Sequence, residues 1–225
     1  MVFSFWGIFI LLLAAVIICD RKFQMLRDIS KASVVPYSWS RVQLAWWTII
    51  ILSAFTTILL RSGVAPNLHS STLTLLGISV ATTAAARVID LGDQQNAHVF
   101  RHQNLKSTNF FLDILSDHNG ISIQRFQAVL FNAVFGIWFI ATVLGNINDP
   151  NFCLSTFSKS DPNLAQCLLH PADFYMPVIS ENNLVLLGLS SATYAALKIT
   201  ENKSTESEAL PEKVPDEALN TPAQG

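Results

Sequence analysis

The chain has 225 residues, 51% of them hydrophobic and only 13% charged, with a formal net charge of −2 and a mean hydropathy of +0.40. Soluble domains carry about 25% charged residues, so much of this surface faces something other than water, and the balanced charge gives no footprint for nucleic acid. Three cysteines exclude a disulfide-rich scaffold, and the absence of any Cys-x-x-Cys pair or zinc-finger spacing excludes a structural zinc site of that type; no cofactor is expected.

Taken in order, residues 2–19 form an apolar run of about 18 residues, near the lower limit for a spanning helix. No basic residue precedes it and Asp20-Arg21-Lys22 follows, the reverse of a secretory signal, so it reads as a first span entering from outside. The polar stretch 20–37 carries Arg21, Lys22, Arg27 and Lys31, with Phe23, Leu26 and Ile29 at helical spacing. It predicts an amphipathic helix at headgroup level that ends at Pro36. Ser38 is placed to cap a span over 42–60, with Trp39, Trp46 and Trp47 at the interface where amphipathic rings are favoured. After the turn at 61–66, a span over 73–89 is dense in small residues: Gly77, Ser79 and Ala81 allow close helix approach.

Residues 90–120 form a second polar loop, with a short amphipathic helix around Phe110–Leu115 and a turn at Asp117-His118-Asn119-Gly120. Ser122 is placed to cap a span over 126–144. The loop 145–183 contains Cys153 and Cys167, and a fifth span covers 184–199, with Gly188, Ser190 and Ala192 as its small residues. The tail from 200 to 225 is rich in Glu, Pro, Lys and Ser and is expected to be disordered.

Two stretches recur. Ser38, Arg41, Gln43, Trp46, Trp47 match Ser122, Arg125, Gln127, Leu130, Phe131, and 75–82 (LLGISVAT) matches 186–193 (LLGLSSAT), with Arg87 against Lys198. The fold expected is therefore all-α and integral to the membrane: one N-terminal span, then two copies of a two-helix hairpin at about 38–90 and 122–201. The loops before the second and fourth spans hold most of the Arg and Lys. The positive-inside rule puts them and the tail in the cytoplasm and the N-terminus outside. One hairpin separates the copies, so they run parallel rather than inverted. Cys153 and Cys167 then share an outer loop, where an oxidising compartment lets them pair, while Cys19 stays reduced at the inner face.

Chemistry is sparse. No ionisable residue lies near the centre of a span, which argues against a proton-coupled carrier. Asn132 is the polar residue set inside a span, expected to bond across helices. Arg41-x-Gln43 and Arg125-x-Gln127 are either interfacial anchors or two equivalent docking sites for a cytoplasmic partner or a phosphate. His98-x-x-x-His102 has metal-compatible spacing but lacks the Glu of a zinc-protease motif, so no metal site and no catalytic residue is expected.

The phrase 112–120 (LDILSDHNG), the Ser-x-x-Arg-x-Gln pattern and Leu-Leu-Gly-Ile-Ser resemble bacterial multi-spanning membrane proteins to which no activity attaches. The resemblance covers about 38–199 and implies a bacterial inner membrane and the repeat. The function expected is a non-enzymatic scaffold, anchor or signal-relay subunit. Its partners would be the bilayer, further copies of itself, or other proteins held by the basic loops. The alternatives are an oligomeric pore and, least favoured, an enzyme acting through the His/Asp loop at the cytoplasmic face.

Overall fold

The computed structural model describes residues 2–30, 32–95, 107, 109–117 and 120–201. It is helical throughout: α1 (Val2–Phe23), α2 (Trp39–Ser62), α3 (Ser70–Gln95), α4 (Phe110–Leu115), α5 (Ile123–Asn148), α6 (Phe152–Thr156), α7 (Asn163–Leu169) and α8 (Glu181–Glu201). The exceptions are short. Strands β1 (Ser116–Asp117) and β2 (Gly120–Ile121) pair in antiparallel register, Ser116 opposite Ile121, and a single bridge joins Arg27 to Tyr37. Asn109 caps α4 by accepting from the Leu112 amide at 2.8 Å. The central residues of the 117–120 turn lie outside the described residues, as does the tail from 202.

Among the described residues four helices are long and apolar enough to cross a membrane: α1, α2, α3 over Ser70–Asp93, and α5. The expected fifth, α8, has 21 residues but falls outside that set, its apolar stretch diluted by Ser190, Ser191, Thr193, Tyr194 and Lys198. Helix α1 lies along α2, α2 also meets α3 and α5, and α8 packs against both α3 and α5. Bonds between connections show which helix ends sit together. At one end, Asp28 meets Lys198 and the Tyr37 amide donates to Asp113. At the other, Asn67 reaches Asp173, Asn146 donates to the Tyr175 carbonyl, and the Ile179 amide donates to Ser71. These are called the clasp end and the cap end below.

One core runs from mid-bundle into the cap. Phe5, Trp47, Ile50, Ile58, Leu75, Phe139, Val143 and Leu187 are buried in it, and so are Phe152, Cys153, Cys167, Tyr175, Met176 and Ile179 from the 149–180 connection. The long loop is thus a packed cap rather than a segment with little core of its own. Phe152 and Tyr175 lie 5.3 Å apart, and the Arg61 guanidinium sits 5.2 Å from the Tyr175 ring. Cys153 and Cys167 form a disulfide, with Cα atoms 5.7 Å apart.

The segment after α1 departs from expectation. Helix α1 continues to Phe23 and stops at Gln24, whose φ is +54°. Among the described residues 24–30 and 32–38 the expected amphipathic helix is not formed. Residues 24–30 and 32–38 fold back as a compact loop held by Ser38 N to Leu26 O and Asp28 N to Pro36 O. Buried carboxylates draw the chain inward: Asp20 Oδ1 accepts from the Leu26 amide at 2.9 Å. Ser38 and Ser122 occupy the cap positions of α2 and α5 with extended backbones, yet neither hydroxyl makes the capping bond. Ser38 pairs with Ser40 and Ser122 donates to Gln124 instead.

Because the cap closes over a 14-residue separation, opening the disulfide releases about 3 kcal/mol of loop constraint on the chain-entropy account. Cys153→Ser is expected to lower thermal stability in detergent by about that amount, and a melting curve unchanged by reduction would contradict it.

Candidate functional site

The densest chemistry lies at the clasp end. Lys198, near the end of α8, is 1% exposed, and its Nζ donates to Asp90 Oδ2 of α3 at 2.9 Å and to Asp28 Oδ2 of the 24–38 loop at 3.0 Å. Three separate parts of the chain meet at one ammonium group. Asp28 also accepts from the Ile29 amide. Burial acts to raise the Asp28 carboxyl, but the adjacent Lys198 charge and the hydrogen bonds outweigh it and hold it at about 2. One turn before Lys198, Tyr194 is buried, with the Arg125 guanidinium 5.5 Å from its ring.

A second set of contacts fastens the same loop. Arg27 places its Nε 3.6 Å from Asp20 Oδ2 and donates to the Val35 carbonyl at 2.9 Å and the Tyr37 hydroxyl at 3.0 Å, with its guanidinium over the Tyr37 ring. Asp113 accepts from the Tyr37 amide and the Ser107 hydroxyl, tying in α4. Arg27 is therefore spent inside the protein rather than offered to lipid headgroups.

The two Ser-x-x-Arg-x-Gln copies are not equivalent. Gln43 is buried and donates to Ser191 of α8 at 3.0 Å, while Gln127 is exposed beside a small groove shared with Leu186, Ser190 and Thr193. Arg41 is half-buried and donates to the Met25 carbonyl at 3.3 Å, whereas Arg125 stacks on Tyr194. In the first copy Gln43 bonds a neighbouring helix, as the anchoring alternative expects, while Gln127 in the second copy does not share that environment.

Asn132 bonds across helices: its Oδ1 accepts from Trp47 Nε1 at 2.7 Å, and its carbonyl accepts from Trp46 Nε1 at 3.0 Å. Its amide nitrogen returns to the Ala128 carbonyl, so both ends of the side chain are engaged within the bundle. Gly136 makes this possible, since a Cβ there would lie 2.5 Å from Trp46 Nε1. Of the small residues, Ser79, Ser190 and Gly188 face the interior; Ser79 bonds the Leu75 carbonyl, and a Cβ on Gly188 would lie 3.5 Å from Ile78. Gly77, Ala81 and Ala192 are exposed on outer faces rather than at a contact within the chain, which corrects the expectation of central packing for them.

His98 and His102 lie outside the described residues. Among the described residues no group of three His, Cys, Asp or Glu is arranged to hold a metal ion. Sequence reasoning missed the Lys198 cluster. Its one signal was the match of Lys198 with Arg87, which marks a cation at the same helical position in both copies but names no partner. No family model, curated protein or solved structure matches the chain.

Two outcomes follow from this geometry. A carboxyl held below its ordinary value contributes stability in full above about pH 3.8 and loses it as the pH falls through about 2. Cleavage of the 24–37 segment by pepsin should therefore rise sharply between pH 4 and pH 2, and Asp28→Asn should flatten that step; equal cleavage across the range would contradict it. Gly136→Ala should cost about 1–3 kcal/mol by overpacking and shift the Trp46 fluorescence, whereas wild-type stability would show that the close approach is not needed.

Proposed function

We propose that this chain is a non-enzymatic scaffold of a bacterial inner membrane, with five spans, its N-terminus outside and its tail in the cytoplasm. The fifth span is α8, whose 21 residues lie between α3 and α5 rather than at the periphery. The duplicated-hairpin reading draws support from the packing of counterparts, α2 on α5 and α3 on α8. The orientation draws support from both ends. The basic connections gather at the clasp end, and the disulfide sits at the cap end, where an oxidising compartment favours it.

The observation that carries the scaffold reading is the Lys198 cluster. A loop used only to join two spans needs no buried ion pairs, which are expensive to desolvate. Here they fix residues 24–38 against α3 and α8, so the exposed Arg21 and Lys22 at the end of α1 are held from a rigid frame. A partner with an acidic surface suits that face. The pore alternative draws less support, because Asn132 and Ser79 spend their polar groups on neighbouring helices or their own backbone.

Two measurements on reconstituted protein test the reading. Liposomes bearing the protein should be as tight to ions as empty ones, and a conductance altered by Asn132→Ala or Ser79→Ala would establish the pore instead. In cells, a photo-crosslinker at Phe23 should capture a protein adduct that Arg21→Glu with Lys22→Glu abolishes; capture unaffected by that reversal would overturn the docking role.

A further inference from the structure

A groove of about 710 Å³ opens on the outside of the bundle between α1 and α3, with α2 as its floor. The floor is one helical stripe: Arg41, Leu44, Ala45, Thr48, Ile49 and Leu52. Leu12, Ala15 and Val16 of α1 form one wall, and Val80, Thr83 and Ala84 of α3 the other. The hydroxyls inside are already committed, Thr48 to Leu44 O and Thr83 to Ser40 O and Ser79 O, so the interior behaves as hydrocarbon. Charge enters at one end only, where Arg41 and Arg87 line the groove at the clasp end, Arg87 exposed.

The length of the groove selects its occupant. From Arg41 to Leu52 the floor rises about 16 Å at 1.5 Å per residue, about half of a 30 Å hydrocarbon core. It closes near Leu12, at the middle of α1, and near Val80, inside α3. A helix from another protein would run the full thickness of the membrane and would not need two guanidinium groups at one end. We propose that the groove is a binding site for an anionic glycerophospholipid of the leaflet at the clasp end, its acyl chain along α2 and its phosphate between Arg41 and Arg87. Guanidinium groups suit a phosphate because their planar forks donate in pairs. The inference rests on the membrane-spanning reading above and not on the partner reading.

The test is a titration of delipidated protein in detergent with phosphatidylglycerol and with phosphatidylcholine of the same acyl chains, read by native mass spectrometry. Phosphatidylglycerol should bind more tightly, by about 5-fold for each arginine at the surface and about 25-fold for both. Arg41→Gln with Arg87→Gln should erase that preference while leaving acyl binding, and Ala45→Trp, which fills the floor, should reduce binding of both lipids. Arg87→Gln alone lies at an exposed position and should remove about 5-fold without disturbing packing. Inorganic phosphate and free glycerophosphoglycerol should not compete, since the chain supplies the apolar contact. Equal binding of the two lipids, a preference surviving the double substitution, or a dimer that covers the groove and binds no lipid would overturn the proposal. Protein that failed to enter a bilayer at all would instead overturn the membrane reading beneath it.

Discussion

An ammonium group shut away from water needs opposite charge within hydrogen-bond reach, and Lys198 takes two carboxylates for that purpose. The constraint shapes the whole clasp end. Asp90 must present from α3, which fixes the contact of α3 with α8. Asp28 must present from the connection after α1, which keeps that connection from lying out along the headgroups. Folding back requires the turn at Gln24 and the Arg27 contacts to Asp20 and Tyr37, and Tyr37 in turn leads to Asp113 and α4. Specific polar fasteners of this kind choose which helices become neighbours.

The two ends of the bundle are fastened by different physics. The clasp end uses ion pairs between distant segments. The cap end uses a disulfide, aromatic contacts and continuous apolar packing, with Cys153, Tyr175, Met176 and Ile179 in the same core as Trp47 and Phe139. Between them, Asn132 joins α5 to α2 through both tryptophans, and Gln43 joins α2 to α8. The Asn132 side chain and the Gln43 amide nitrogen are thereby turned to cohesion, while the outward groove under Arg41 and Arg87 is left apolar along its length.

Helical character and the four long apolar helices were legible in the sequence, because length and hydropathy report a local property. The Cys153–Cys167 pair was legible because both residues fall in one loop. The 24–38 loop was not. Phe23, Leu26 and Ile29 have helical spacing, but the pull of Asp28 toward Lys198 is a contact over 170 positions and leaves no periodic trace. The same limit explains the unequal fates of Gln43 and Gln127. A repeated motif preserves residue type, whereas the partner depends on which helix faces it. Gly77 and Ala81 show the converse, since small residues permit close approach without saying which face is approached.

The central claim is that the Lys198 cluster fastens the clasp end, and a comparison of two variants tests it most directly. Lys198→Met leaves two buried carboxyl groups without their cation and should cost about 3–5 kcal/mol, while Lys198→Met with Asp28→Asn and Asp90→Asn removes every ionisable group of the cluster and should recover most of that loss. Unfolding measured for the two variants in the same detergent gives the answer. A triple variant much more stable than the single one is the predicted result. Two variants equally close to wild type would show that the ion cluster does not hold this end together.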